Sequence, residues 1–191
     1  MQEAFLKKIS ALWGNVFKQE TADRSIAAAL SRIPVFSTLS KTELRLIQKI
    51  VYLRNYHQNE VIFVEGEPGA GMYIIESGKV RICLGPHVDE EHEIALLEPG
   101  GFFGELALID DHPRSATAVA TMSTRLVGFF RSDLISIINR NPRMGVKIQN
   151  NIMQILVRRL RITDQRLNDA FEELRAYQEK LEAESKAGQM E

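Results

Sequence analysis

The stretch FGELALIDDHPRSATAVA, residues 103–120, places glycine and alanine near the carboxylate of Glu105 and the guanidinium of Arg114 around a single predicted turn. Gly104 and Ala107 are small enough to let backbone amides approach a ligand, and the segment after Glu105 can form one helical turn whose amino end favours an anion. A guanidinium such as that of Arg114 holds phosphate oxygens through paired hydrogen bonds, whereas an ionised Glu105 only accepts them and suits hydroxyl groups. The stretch therefore predicts a pocket for a small sugar phosphate.

This stretch resembles the phosphate-binding cassette of the cyclic nucleotide-binding domain family, in the form of the effector domain found in catabolite activator proteins. In that family the Gly-Glu pair meets the ribose, which implies Gly104 and Glu105 here. The arginine meets the cyclic phosphate and the next serine adds a hydroxyl, which implies Arg114 and Ser115. The resemblance extends outward through IPVFSTLS, EGEPGAGMYIIESGKV and RRLRIT. The alternative for Arg114 is a structural ion pair.

The resemblance also implies a wider set of ligand contacts, because strand residues wall the purine in the family and a residue of the long helix touches it. The full predicted set is Ile82, Ile94, Leu97, Phe103, Gly104, Glu105, Leu106, Ala107, Arg114, Ser115, Ala116 and Thr163. The three strand residues at the start of this set are equally well explained as core, and Thr163 as a polar residue that sets helix register. Asp164 departs from the family, which has a hydroxyl residue there. The choice between cAMP and cGMP is left open.

Composition restricts the classes of function. The chain has 191 residues, a formal net charge of −1 and a single cysteine, Cys83. Balanced charge does not provide the broad positive surface of non-specific nucleic-acid binding, so direct DNA binding is not expected. One cysteine excludes an internal disulfide and a cysteine-ligated iron–sulfur cluster, and it favours the cytoplasm. No apolar run has the roughly 20 residues that a membrane-spanning helix needs, and no secretory signal is expected.

Neither catalysis nor a bound metal is expected. The hairpin HVDEEHE, residues 87–93, groups two imidazoles with carboxylates, but alternating strand residues at an exposed tip do not converge on one ion. No Ser-His-Asp or Cys-His arrangement has a recognisable local context. The chain is therefore interpreted as a binding protein. A jelly-roll enzyme of the cupin kind is the alternative that would require a clustered metal-ligand set.

Three segments are predicted: amphipathic helices over residues 1–30, a β-roll over residues 31–140 and a long dimerisation helix over residues 141–191. Between residues 51 and 130, short apolar runs alternate with glycine and proline. This pattern is typical of a double-sheet jelly roll, or double-stranded β-helix. The predicted fold class is therefore mainly β with flanking helices.

Two helical signals precede the roll. Residues 2–18 have apolar side chains at helical spacing, which predicts an amphipathic helix that packs on the domain or on a second subunit. Lysines accompany this stripe, and peripheral contact with a membrane is the less favoured alternative. Further along, Ser40 and Glu43 have the spacing of a capping box, which predicts a helix that begins after Ser40.

The last helix carries the apolar seam of a coiled coil, with steps of three and four over about four heptads. The seam residues are Met153, Leu156, Leu160, Thr163, Leu167, Ala170, Leu174, Tyr177 and Leu181. Pairing would remove this seam from water, so it predicts a parallel homodimer. Packing of the first half of the helix on the roll is the alternative.

Together these features predict a cytoplasmic regulator of bacterial type that binds cAMP or cGMP and passes binding to a homodimer helix and an unidentified protein partner. The alternative is an interaction scaffold with a vestigial nucleotide pocket. The acidic terminal segment YQEKLEAESKAGQME would not fill a DNA groove. The preferred base, the partner and the direction of the response to ligand are left open.

Overall fold

The computed structural model describes residues 26, 29–86, 88 and 91–187, with side chains in the last helix described through residue 179. The helix predicted over residues 2–18 lies outside the described residues, as do His87, Asp89 and Glu90 of the acidic hairpin. Among the residues that are described, no group of three or more His, Cys, Asp or Glu side chains is placed to hold a metal ion. The chain divides into two compact units, Met1–Asn151 and Ile152–Glu191.

The described part of the first unit contains eight strands in two four-stranded antiparallel sheets. The strands are β1 (Tyr52–Tyr56), β2 (Val61–Phe63), β3 (Gly71–Ser77), β4 (Val80–Cys83), β5 (Glu93–Leu97), β6 (Phe102–Phe103), β7 (Thr117–Ala120) and β8 (Thr124–Phe130). One sheet has the order β1-β8-β3-β6 and the other has the order β2-β7-β4-β5. Each sheet thus joins strands that are distant in sequence, which confirms the predicted jelly roll.

One apolar cluster fills the space between the two sheets. Ile75 and Leu126 enter it from the first sheet, and Val80 and Ala118 enter it from the second, with all four side chains fully buried. Phe103 of β6 completes the cluster. Burial of each large aliphatic side chain stabilises the fold by about 1.5 to 3 kcal/mol. The apolar cluster between the sheets therefore contributes strongly to the stability of the roll.

Helical segments flank the roll. They are the 3₁₀ helices Pro34–Phe36 and Glu105–Leu108 and the α-helices α1 (Lys41–Gln48), α2 (Arg131–Arg140) and α3 (Pro142–Ala187). The Phe36 ring meets the Phe129 ring edge-on at 5.4 Å between centroids. Met72 lies opposite Phe129 in the register of β3 and β8 and is also fully buried. These central strands are therefore covered on both faces, which explains their nearly continuous apolar sequences.

Ser40 and Glu43 form the capping box that their spacing predicts, and α1 begins at the next residue after Ser40. Ser40 Oγ accepts a hydrogen bond from Glu43 N at 3.3 Å, and Ser40 N donates to Glu43 Oε2 at 2.7 Å. The same carboxylate pairs with Lys147 Nζ of α3 at 2.9 Å. The hydrogen bond from Ser40 N, followed by that from Lys147, lowers the Glu43 pKa below its ordinary value of 4.5.

The second unit continues α3, and apolar side chains are exposed along it. The exposed fractions are 61% for Leu160, 54% for Leu167, 54% for Leu174 and 61% for Tyr177. These residues belong to the predicted seam, and the coiled coil stays a prediction. No described helix combines enough length with enough apolar character to cross a membrane.

We expect Glu43→Gln to lower the free energy of unfolding near neutral pH and to have a smaller effect in acid. Because the folded pKa of Glu43 is depressed, its charge stabilises the fold fully above the ordinary pKa of 4.5 and loses this effect as the pH falls through the lower folded value. Urea unfolding of the wild type and the variant at about pH 7 and about pH 3 measures this difference.

The matched control is Glu98→Gln, because Glu98 pairs with Lys79 at 2.7 Å but has a side chain that is 64% exposed. An exposed ion pair contributes little, so this variant should unfold like the wild type at both pH values. A Glu43→Gln effect that is the same size in acid as at neutral pH would contradict the prediction.

Candidate functional site

The site begins at Gly104, between β6 and the 3₁₀ helix Glu105–Leu108. Its φ of 74° lies in the left-handed region that favours glycine. A Cβ at this position would come within 2.6 Å of Arg114 Nη1. Glycine is therefore required here for two reasons. It allows the turn into the 3₁₀ helix, and it leaves room for the guanidinium beside the backbone.

Arg114 is a buried cation with 8% of its surface exposed. Its Nη1 donates to Gly104 O at 3.2 Å, and its guanidinium carbon lies 4.1 Å from the centroid of the Phe63 ring. No described residue accepts a hydrogen bond from its Nε. Burial lowers the Arg114 pKa below its ordinary value, whereas the nearby Tyr73 and Glu105 act in the opposite direction. An arginine stays protonated in a protein, and a buried cation is unfavourable unless its donors are hydrogen-bonded. A negatively charged acceptor at Nε would therefore stabilise Arg114 in this position.

The backbone near Arg114 is tied to the loop that precedes β3. Arg114 N donates to Glu67 O at 2.8 Å, and Gly66 N donates to Arg114 O at 2.9 Å. Two residues later in this loop, a Cβ on Gly69 would come within 2.8 Å of Ala107 Cβ and 3.4 Å of Arg114 Cζ. The loop and the 3₁₀ helix therefore enclose the guanidinium from two sides.

Glu105 is the second charged residue of the site and is 1% exposed. It is the first residue of the 3₁₀ helix, and its charge acts on the guanidinium of Arg114. An ionised carboxylate only accepts hydrogen bonds, whereas the guanidinium of Arg114 only donates them. The site can therefore receive a ligand that has donor hydroxyls at one end and an anion at the other.

The remaining cassette residues differ in exposure. Ser115 is exposed and Ala116 is half-buried, and both lie between Arg114 and β7. Within the 3₁₀ helix, Leu106 is 44% exposed and Ala107 is 4% exposed. Ser115 can be reached by a ligand, whereas Ala107 contributes its small volume and its backbone.

Phe103 lies in the core. Its ring centroid is 5.7 Å from that of Phe63 and 5.7 Å from that of Tyr73. Since Phe63 also lies under the guanidinium of Arg114, Phe103 supports the floor of the site from within the cluster. A direct contact between Phe103 and a ligand stays a prediction.

Ile82 and Leu97 pack against the cluster inside the roll. Ile82 pairs with Ala95 in the register of β4 and β5, so Ala95 and Leu97 lie on one face of β5. Ile94 precedes Ala95, turns to the opposite face and is 50% exposed. The strand pleat thus places Ile94 on the other face of β5 from Ala95 and Leu97, and its predicted contact with a ligand stays a prediction.

Thr163 belongs to the second unit, where its Oγ1 donates to Arg159 O at 3.0 Å within the same helix. This local hydrogen bond is a common arrangement for a threonine in a helix. A contact of Thr163 with a purine stays a prediction, and so does any effect of Asp164 on base preference.

Two residues of this region were missed by the sequence analysis. Phe63 ends β2 and lies under Arg114, and an aromatic residue just before the glycine-rich loop was a signal that could have found it. Arg131 is the first residue of α2, and its Nε donates to Ala107 O at 2.8 Å. Nothing local marks Arg131, because only the strand order brings the start of α2 to the cassette.

Comparison with known proteins gives the family of this fold and site. Residues 53–141 match the family model of the cyclic nucleotide-binding domain. The chain is 38% identical over 143 residues to the cyclic AMP receptor protein of Thermus thermophilus, which covers 74% of this chain and 64% of that protein. It is 31% identical over 140 residues to a CRP-like cAMP-activated global transcriptional regulator of Mycobacterium tuberculosis, which covers 73% of this chain and 61% of that protein.

Solved structures that resemble this chain include a member of the same group of relatives. The crystal structure of the Thermus thermophilus catabolite activator protein matches with a TM-score of 0.62 and 37% sequence identity, over 71% of this chain and 62% of that chain. The chain thus spans less than two thirds of the length of these relatives. The family match contains the whole cassette from Gly104 to Ser115. Through residues 53–141, the chain belongs to the cyclic nucleotide-binding domain family.

Proposed function

We propose that this chain is a cyclic-nucleotide receptor that binds cAMP or cGMP at Glu105, Arg114 and Ser115 and passes binding to its long helix. The observation that carries the proposal is the buried guanidinium of Arg114, whose Nε finds no acceptor among the described residues. A cyclic phosphate supplies the missing negative charge and oxygen acceptors in a geometry that a guanidinium recognises.

Glu105 makes the proposed ligand a nucleotide rather than a simple anion. Its buried carboxylate adds negative charge to the site. A free phosphate would therefore be attracted by Arg114 but repelled by Glu105. A ribose hydroxyl, by contrast, is neutral and can donate a hydrogen bond to that carboxylate. Two of the relatives are named for cAMP, which favours cAMP over cGMP, and Ser115 does not decide between them.

The proposed output is a parallel homodimer through α3 that a protein partner reads. The exposed apolar residues Leu160, Leu167 and Leu174 follow the seam, and pairing two helices would stabilise the dimer by about 1.5 to 3 kcal/mol for each fully buried leucine. Ligand binding would act on the dimer if it favours one helix arrangement over another. The proposal assigns the output to a protein rather than to DNA because the formal net charge is −1.

We expect Arg114→Leu to weaken binding of cAMP and cGMP by about a hundredfold or more, because paired charge-assisted hydrogen bonds to the phosphate are lost. The unliganded variant should be at least as stable as the wild type, since leucine replaces a buried and incompletely bonded cation. Calorimetric titration gives the affinities, and thermal unfolding without ligand gives the stability.

Arg54→Leu is the matched control, because Arg54 lies exposed on β1 and should leave the affinity unchanged. A wild-type protein that shows neither heat nor a thermal shift at millimolar ligand would contradict the receptor function. The exposed seam of α3 would then favour the scaffold with a vestigial pocket.

We expect Glu105→Gln to remove the preference for a ribose hydroxyl. The wild type should bind cAMP about tenfold more tightly than 2′-deoxy-cAMP, because the hydroxyl donates to a charged acceptor. This ratio should fall towards one in the variant, and competition binding measures both ratios. Glu67→Gln is the control: Glu67 lies near Arg114 but its carboxylate accepts from Val64 N at 2.9 Å, so the wild-type ratio should persist. An unchanged ratio in Glu105→Gln would contradict the assignment.

We expect the double variant Leu167→Lys, Leu174→Lys to convert a dimer into a monomer, because charge in a coiled-coil seam opposes pairing. Sedimentation velocity of the full chain measures the mass. Ile135→Lys is the control, since Ile135 of α2 is 50% exposed and comparable to the two leucines. A wild-type monomer at micromolar concentration, or a double variant that stays dimeric, would contradict the proposed seam.

A further inference from the structure

Arg131 joins three parts of the first unit that are far apart in sequence. It follows β8 directly and begins α2. Its Nε donates to Ala107 O at 2.8 Å, and its Nη2 donates to Gly69 O at 3.3 Å. Its backbone N donates to Ala70 O at 2.9 Å. One arginine is thus bonded to the 3₁₀ helix of the cassette and to the loop before β3.

The two bridged carbonyls belong to the two walls that enclose Arg114. Gly69 and Ala107 approach so closely that a Cβ on the glycine would lie 2.8 Å from Ala107 Cβ, and the same Cβ would lie 3.4 Å from Arg114 Cζ. A shift of either wall would therefore change the space around the guanidinium. Arg131 bonds to both walls, while Arg114 itself donates to a third carbonyl, Gly104 O.

Arg131 also binds the carboxyl end of the 3₁₀ helix. Besides Ala107 O, its guanidinium contacts Asp110 O and the Asp111 carboxylate. Terminal carbonyls of a helix lack partners within the helix and favour a cation. The amino end of the same 3₁₀ helix starts at Gly104, which faces Arg114. The anion site and Arg131 therefore act on opposite ends of one short helix.

We infer that Arg131 is a positioning residue for the anion site: by bridging the carbonyls of Gly69 and Ala107, it holds the two walls around Arg114 at the separation that a ligand needs. The inference rests on the proposed function for its ligand. The bridge is formed by the chain's own residues, so its effect on the backbone can be measured without a nucleotide.

The hydrogen bonds of Arg131 to Gly69 O and Ala107 O, rather than its ion pair with Asp111, hold the two walls in place. The Asp111 side chain is 93% exposed, and exposed ion pairs contribute little. A lysine at position 131 would keep a positive charge, but its single ammonium on a flexible stem does not reproduce the planar fork that reaches two carbonyls. Charge and bridging can therefore be separated by substitution.

The test compares the full-length wild type with Arg131→Gln, Arg131→Lys and Asp111→Asn. Calorimetric titration with cAMP and with cGMP should show about tenfold weaker binding for both Arg131 variants, which corresponds to about 1.4 kcal/mol, and wild-type affinity for Asp111→Asn. Thermal unfolding without ligand should show that Arg131→Lys keeps most of the wild-type stability. A purely structural role would instead lower stability and affinity together.

Hydrogen exchange of the unliganded proteins gives the second readout. The amides of Ala107 and Ile109 donate within the 3₁₀ helix, at 3.3 Å to Gly104 O and 2.9 Å to Leu106 O. Their exchange should accelerate in both Arg131 variants and stay at the wild-type rate in Asp111→Asn, while exchange in β3 and β8 is unchanged.

The outcomes separate this inference from the proposed function. Wild-type protein that binds neither nucleotide contradicts the proposed function, and the exchange rates still decide whether Arg131 holds the walls. Wild-type protein that binds, together with Arg131→Lys that binds and exchanges like it, overturns the inference, because charge alone would then suffice. If Arg131→Gln does not fold, Arg131→Lys and Asp111→Asn decide the question.

Discussion

The charge of Arg114 is buried without a full set of acceptors, and this is the constraint around which the site is arranged. A cation in an apolar interior is unfavourable unless hydrogen bonds and opposite charge replace the water that it has lost. Gly104 O and the face of the Phe63 ring supply part of that replacement. Glu105 supplies negative charge nearby. The Nε of Arg114 is the atom for which no described residue provides an acceptor.

Such a cation can be kept in place only if the surrounding backbone comes very close to it. Gly69 and Gly104 provide this closeness, since a Cβ at either position would meet the arginine or its enclosing wall. The two glycines come from segments more than thirty residues apart, and the pairing of β3 with β6 brings them together. The roll is therefore needed to assemble the pocket as well as to support it.

The features that could be predicted from the sequence are determined by residues that lie close together in the chain. The capping box of Ser40 and Glu43 follows from spacing alone, and the resemblance of residues 103–120 to the family predicted the domain that the family match contains. The alternation of short apolar runs with turn residues was enough to predict the jelly roll.

The parts that sequence missed depend on long-range pairing. Ile94 looks like its apolar neighbours in β5, and only the register with β4 shows that it faces outward. Phe63 and Arg131 reach the cassette through the strand order, and nothing in the local sequence around Arg131 identified it. An arginine at a strand–helix junction is common in protein sequences. The role of Arg131 can be recognised only from the carbonyl groups to which it donates hydrogen bonds.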